Sequence, residues 1–318
     1  MKIIKPSVQF YGAVPTEYNA ALKFIEMAGR TCYKSEDKIT EDSAEGFVRK
    51  LIKAGHLAMV EHSNFVVRAQ RMDYPLVWLQ GQVGKYLTAL NDSEHTYIGG
   101  SLTAWYQHTV KEGIPDYCDC FVKGYGSLFS IDIETGTRGW QVCPHNEVPK
   151  ELHRFAVKFI CDRGVSHELV RHRPCSFAQE STRYVNYAGK DMEFIEPEDL
   201  ESWPDDTYRQ FMLACEDAET AYHYMVKPEG PLSPQQARAV LPNALKTEIV
   251  VTADSSEWTH IRKLRTAKSA HPDMQRVMNM MPWEEFLDNQ IEENKIHRCE
   301  KHHKDFTGKV CPECEQES

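Results

Sequence analysis

Arg171-His172-Arg173-Pro174-Cys175-Ser176-Phe177-Ala178-Gln179-Glu180-Ser181-Thr182-Arg183-Tyr184 gathers three arginines, a histidine, two serines and a glutamine into fourteen residues. Guanidinium forks match carboxylate and phosphate oxygens, while hydroxyls and amides read the edge of a base or sugar. The composition points to an anion site. Cations near a helix C-terminus also favour the macrodipole. That accounts for one or two of these residues, but not for Arg183 and the polar run beyond. Pro174 biases Arg173 away from the α region, so a helix arriving from Ser166 is expected to stop near Arg173 and hand the cations to a loop. Arg238 and Arg265, on separate predicted helices, would complete a phosphate site.

Three other constellations bear on chemistry. His167-Glu168-Leu169-Val170-Arg171-His172 looks like a zinc-protease signature but fails on spacing. Histidines at i and i+5 stand about 140° apart around a helix and cannot share one ion. His56, just after the predicted helix stop at Gly55, is read either as a turn residue or as a ring pressed against a planar ligand. In the tail, Cys299-x2-His302 and Cys311-x2-Cys314 are two chelating pairs suited to tetrahedral zinc. A segment that short has no apolar core of its own, so the metal would have to supply its folding energy.

The chain has 318 residues, 37 Lys and Arg against 47 Asp and Glu, and a formal net charge of -10. That balance argues against coating nucleic acid but allows a focused pocket of arginines. Met1 to Pro6 contains no signal-like apolar run, and no stretch approaches the roughly 18 apolar residues of a membrane span. Ten scattered cysteines without a secretory signal argue for a reduced, cytoplasmic chain.

The elements that must position these residues follow from periodicity. A strand or arm up to Pro15 precedes a helix over 17–30, with Ala21, Leu22, Ile25 and Ala28 on one stripe. A second helix, capped by Asp42 or Ser43, buries Phe47, Val48, Leu51 and Ile52. Asn64 to Ala69 reads as a strand. Residues 70–147 form an insert, partly helical near 76–90. Leu152, Phe155, Ala156, Phe159 and Ile160 recur at helical spacing, and Ser166 caps a short helix carrying Glu168. Ser233-Pro234-Gln235-Gln236 starts a helix that Pro242 limits. Leu245 to Val251 is a strand, Ser255 or Ser256 caps the helix of Trp258, His260 and Arg265, Pro272 opens a Met-rich helix, and a last helix runs from about Trp283 to Lys295.

At Arg171-His172-Arg173, followed after seven residues by Ser181, the chain resembles the flavin-dependent thymidylate synthases. Gly164 to Val170 before the motif is similar to one branch of that family. So are Ser176, Gln179, Ser181, Arg183 and Tyr184 after it, Gln235 to Pro242, and Trp258-x-His260-x3-Leu264-Arg265. Gly55-His56 and Glu61-His62 resemble the family's flavin-contacting turn. The likeness covers roughly residues 17–68 and 150–290.

The resemblance implies an α/β (α+β) fold, an antiparallel sheet flanked by helices, assembled as a homotetramer with sites between subunits. It implies synthesis of dTMP from dUMP, with methylenetetrahydrofolate as carbon donor and FAD, reduced by NADPH, as reductant. Carried over, Arg171, His172, Arg173, His56, Asp254 and His260 would contact FAD. Glu168, Gln179, Ser181, Thr182, Arg183, Arg238 and Arg265 would contact dUMP, with Arg183 and Arg238 on the phosphate and Arg265 on the pyrimidine. His56, Ser181 and Arg265 would serve the reaction, Ser181 as a polarising group and not a nucleophile. The Pro-Cys-His order of cysteine-dependent synthases is absent; Cys143-Pro144-His145 reverses it inside the insert. Ala58 stands where a hydroxyl residue can contact FAD, and Asp254 and Ser256 stand where some relatives have Asn and Arg. These departures leave open a nucleotide-binding protein without turnover. The zinc-type tail, 297–318, lies outside the 1–296 body and admits a separate role as a contact module.

Overall fold

The computed structural model describes residues 1–71, 76–83, 86–111, 115–131, 139–227 and 230–284, and the strands Ile296–Arg298 and Asp305–Thr307. In chain order the elements are β1 (Lys2–Ile4), β2 (Ser7–Ala13), α1 (Tyr18–Tyr33), α2 (Ser43–Lys53), α3 (Leu57–Val60), β3 (Phe65–Gln70), α4 (Leu76–Val83), β4 (Thr88–Asn91), β5 (His95–Gly100), α5 (Leu102–Lys111), α6 (Asp119–Tyr125) and β6 (Gln141–Val142). There follow β7 (Arg154–Asp162), α7 (Arg163–Leu169), β8 (Ser176–Gln179), β9 (Glu193–Ile195), α8 (Asp205–Val226), α9 (Pro234–Ala237), β10 (Lys246–Asp254), α10 (Ser255–Arg265), α11 (Pro272–Asn279), β11 (Ile296–Arg298) and β12 (Asp305–Thr307).

The antiparallel sheet flanked by helices is present. Its strand order is β2-β7-β10-β8, and every neighbouring pair is antiparallel. On one face, Val157, Phe159, Cys161, Ile249 and Val251 pack with Val165 and Leu169 of α7, Trp258 and Ile261 of α10 and Met274 of α11. On the other, Val250 and Ala178 meet Ala28 of α1.

The helix expected over Leu152–Ile160 is instead the strand β7. Lying between β2 and β10, it turns Phe155, Val157, Phe159 and Cys161 into one core, while its other face mixes Ala156 and Ile160 with Lys158. Ala156 and Ile160 add apolar positions to the second face, so that with Leu152, Phe155 and Phe159 they match helical spacing and blur the strand alternation. Two caps also differ from expectation. Asp162, not Ser166, caps α7 by accepting from Val165 N, and Asp254, not Ser255 or Ser256, caps α10 by accepting from Glu257 N. In both cases the last strand residue is an aspartate whose carboxylate meets the orphan N–H groups of the next helix. The capping box at Ser233 and Gln236 is present, but the helix passes into a 3-10 turn over Arg238–Val240. Of the last expected helix, 285–295 lies outside the described residues, as do Cys299, His302, Cys311 and Cys314 of the tail.

The insert adds β4, β5 and β6 to β3 in a second antiparallel sheet of order β4-β5-β3-β6. Trp105 and Phe121 of the insert share one core with Leu22 and Ile25 of α1 and Val48 and Leu51 of α2.

A buried charge network ties α1 to the central sheet. Glu248 accepts from Lys34 (2.6 Å) and Lys246 (2.7 Å), and pairs with Lys158. Burial alone would raise the Glu248 pKa, but the hydrogen bonds from Lys158, Lys246 and Lys34 outweigh it and hold it at about 2. A depressed carboxylate pKa contributes stability that is complete above the unfolded value and is lost as pH falls toward the folded one. Stability should therefore decline from about pH 4.5 toward about pH 2, and Glu248→Gln should flatten that part of a urea-midpoint profile. An unchanged profile in the variant would remove Glu248 as the source.

Candidate active site

The motif begins where α7 ends. His172 N donates to Leu169 O (3.0 Å) and Cys175 N to His172 O (3.0 Å), so two successive turns carry the chain into β8. The helix thus stops at Leu169, earlier than Pro174 suggests, and the stretch after Pro174 is a strand, not a loop. Pairing of β8 with β10 captures it. His172 is buried, while Arg171 and Arg173 on either side are exposed.

Arg265, at the end of α10, reaches back to this turn. Its Nη1 donates to Glu168 Oε2 (2.6 Å), its Nη2 to Glu168 O (3.0 Å) and its Nε to His172 Nε2 (3.0 Å). His172 Nδ1 lies 3.0 Å from Glu257 Oε1 and donates to it. Burial and, after the opposing Glu257 hydrogen bond, the Arg265 charge lower the His172 pKa. His172 is therefore a neutral ring, with one nitrogen donating and the other accepting. His260 packs its exposed ring against it in a T-shape at 5.8 Å. Donor atoms of His172, Glu257 and His260 lie within 4.8 Å of one another. Both His172 nitrogens are committed to hydrogen bonds, one of them to a cation, so this is a proton-ordered network and not a chelate.

A second cluster forms at the other end of the motif. Gln179 Nε2 donates to Ser166 Oγ (2.8 Å) and Thr247 Oγ1 (3.2 Å), and Arg163 Nη1 approaches the same threonine (3.5 Å). Arg238 Nη1 donates to Thr182 Oγ1 (3.4 Å). Burial lowers the Arg163 pKa against the pull of Tyr187 and Glu180, and the Arg238 charge adds to the lowering. Ser181 N donates to Cys32 O (3.0 Å), which seats Ser181 on the last turn of α1. Beyond it, Arg183 lies over the Tyr184 ring at 5.4 Å, Tyr184 packs on Tyr33 at 5.4 Å, and Tyr33 OH is 2.8 Å from His56 Nδ1.

His56 is held by the stop of α2. Gly55 takes φ +74, and His56 N donates to Leu51 O (2.9 Å), leaving the ring exposed. Ala58, on the same turn, is also exposed. His62 differs: it is fully buried, with Nδ1 2.8 Å from Thr252 Oγ1. It braces the turn and cannot face a ligand. Asp254 is engaged by the α10 cap and also accepts from Ser256 Oγ (2.7 Å).

Arg265, Glu168 and His172 thus meet in one network; Gln179 is bonded with Ser166 and Thr247, and Arg238 with Thr182, while Ser181, Arg183 and His56 follow along the Tyr184–Tyr33 contact. Asp254 and His260 sit along α10, His260 against His172. Sequence reading missed Arg163 and Glu257. Arg163 follows the capping Asp162 and Glu257 follows Asp254 by three residues, so recognising either aspartate as a cap would have pointed to them. Arg163, Arg171, Arg173, Arg183 and Arg238 form no ion pair among the described residues, although acids outnumber bases in this chain.

A mixed α/β fold with an arginine-rich site between strand ends and helix ends defines the class. Within it, the model of the thymidylate synthase complementing protein family matches residues 16–78 and 145–287, and the chain belongs to that family. The flavin-dependent thymidylate synthase of Mycobacterium leprae is 34% identical over 133 residues, which are 36% of this chain and 51% of that protein. That of Mycolicibacterium vanbaalenii is 23% identical over 277 residues, 82% of this chain and 74% of that protein. In its stretches of higher identity the chain spans about half the length of the curated relatives it matches. A crystal structure of the UMP/dUMP methylase PolB from Streptomyces cacaoi with 5-Br dUMP covers 90% of this chain and 93% of its own at 16% identity and a TM-score of 0.40. A likeness that loose does not bear on the site.

Burial, with the Arg154 charge beside it, lowers the His62 pKa to about 3. Its ring resonances should not titrate across about pH 5–8, where an ordinary imidazole does. Proton NMR of the histidine region checks this, and a His62 midpoint near neutrality would contradict it.

Proposed function

We propose that the chain is a flavin-dependent thymidylate synthase, making dTMP from dUMP with methylenetetrahydrofolate as carbon donor and FAD, reduced by NADPH, as reductant. Family membership and the names of its relatives support the reading. The observation that carries it is the set of motif arginines without carboxylate partners in a chain of net charge -10. Unpaired guanidinium groups call for an anionic ligand.

In this reading Arg183 and Arg238 hold the dUMP phosphate, with Thr182 beside them, and Arg163 joins them as a third cation. Gln179 and Ser181 border the nucleotide, and Ser181 polarises and positions without attacking. Glu168 fixes Arg265 so that the remaining N–H groups of its guanidinium face the pyrimidine, where they stabilise negative charge developing on the ring. The only motif thiol, Cys175, is buried, and burial raises its pKa far above neutrality. It is therefore unsuited to act as a nucleophile.

The residues present suit a flavin. Arg171 and Arg173 are exposed, unpaired cations for its phosphates, and His56 and His260 present exposed rings to a planar group. His172 orders the turn between the two arginines. Ala58 and Ser256 each subtract a contact, and Asp254 keeps one carboxylate oxygen in the α10 cap. When bound, FAD carries the reducing equivalents from NADPH. Exposure of Arg171, Arg173 and His260 in the single chain agrees with a homotetramer whose sites lie between subunits. The enzyme is cytoplasmic in this reading, consistent with the lack, among the described residues, of any helix long and apolar enough to cross a membrane. The body spans 1–296. The tail from 297 to 318 binds zinc through Cys299, His302, Cys311 and Cys314, and the antiparallel strands β11 and β12 flank the first ligand pair in sequence.

Purified protein should be yellow and form dTMP only when folate and NADPH are both supplied. Arg265→Ala should abolish dTMP formation with flavin still bound, and Arg163→Ala should weaken dUMP binding by about 1.5–3 kcal/mol, the range for a charged hydrogen bond. A colourless protein unable to take up FAD would sink the assignment, and dUMP binding without turnover would favour the non-catalytic alternative. Metal analysis of the full chain against a truncation after residue 296 tests the tail: zinc should be lost with it, and equal zinc in both would refute the ligand set.

A further inference from the structure

Glu257 is a carboxylate beside His172 without a role in the reading above. It lies in the first turn of α10, where the Asp254 cap fixes its backbone by accepting from Glu257 N (2.8 Å). Its side chain is mostly buried, and Oε1 accepts from His172 Nδ1 (3.0 Å). The opposite nitrogen, His172 Nε2, accepts from Arg265 Nε (3.0 Å). Arg265 is at the far end of the same helix. The two ends of α10 are thus joined through a histidine on the turn that follows α7.

We infer that Glu257 is a positioning residue for Arg265: it fixes His172 as the Nδ1–H tautomer, so that Nε2 is free to receive the arginine Nε–H. The inference rests on the synthase reading only for what Arg265 then does.

A neutral imidazole has one donor and one acceptor nitrogen, and the hydrogen bond at one decides the role of the other. Without an acceptor at Nδ1, the proton can move to Nε2. That nitrogen would then point its N–H at the guanidinium N–H, two donors facing each other. His172 is only 5% exposed, so water offers little relief, and an unmatched buried donor is costly. Arg265 would turn away from His172 and pivot on Glu168 alone. The other groups around His172 do not supply a substitute acceptor. His260 presents a ring edge-to-face, and Glu168 is engaged with Arg265.

Nitrogen-15 NMR of histidine- and arginine-labelled protein tests this directly, in the wild type, Glu257→Ala and Glu257→Gln. The wild type should show His172 protonated at Nδ1 and a slowly exchanging Arg265 Nε–H. Glu257→Ala should move the His172 proton toward Nε2 and expose the Arg265 Nε–H to exchange. Glu257→Gln keeps an oxygen acceptor at the same reach and should restore both signals, which a general structural lesion would not. Calorimetry should show dUMP affinity falling roughly 10- to 100-fold in the alanine variant and recovering in the glutamine variant. An unchanged His172 tautomer in Glu257→Ala overturns the inference, as does a shifted tautomer with Arg265 exchange unaltered. If the wild type does not bind dUMP at all, the synthase reading fails, while the NMR signals still decide the role of Glu257.

Discussion

The pairing of β7 with β10 sets the frame for the site. Nine residues of each strand run in antiparallel register, from Lys246 opposite Asp162 to Asp254 opposite Arg154. Each strand ends in an aspartate that caps the helix following it. The strands being antiparallel, α7 and α10 start from opposite ends of the sheet and pack back over the same face. Their C-terminal ends meet, and there Arg265 grips Glu168. One construction, strand then aspartate then helix, is used twice, and its two copies bring the C-terminal end of each helix together.

Electrostatic separation is the second requirement. In an acidic chain, arginines without carboxylate partners need surroundings that keep carboxylates away from them. The two faces of the central sheet divide this task. On the α1 face, Glu248 and Glu180 are matched by Lys34, Lys158 and Lys246, so that charge is neutralised internally. Around the motif, cations are met by hydroxyls, as Arg238 is by Thr182 and Arg163 by Thr247. Neutral partners orient a guanidinium without cancelling it. Arg265 is the exception, and its ion pair with Glu168 leaves part of the fork uncommitted.

Much of this was legible in the sequence because the informative signals were local. The stripe of Ala21, Leu22, Ile25 and Ala28, the glycine stop before His56 and the Ser233 capping box each depend on neighbours a few residues away. The motif itself is a local pattern, and it led to the family. The strand β7 was misread because its surroundings, not its own spacing, decide its conformation. Ala156 and Ile160 interrupt the polar face that Arg154, Lys158 and Asp162 would otherwise mark, so the period of two is blurred. Glu257 and Arg163 escaped notice for a related reason. Each meets a partner distant in sequence, His172 in one case and Thr247 in the other, and the only nearby signal is the capping aspartate before each.

The strand order has a kinetic side. The central sheet pairs β2 with β7 and β7 with β10, so its edge strand near the N-terminus waits for residues made far later. The insert sheet, by contrast, closes within 65–142 and packs on α1 and α2, which precede it. Loop-closure entropy favours such nearby pairings first. During synthesis the segment outside the family match would therefore cover the apolar side of the first helices before their later partners exist.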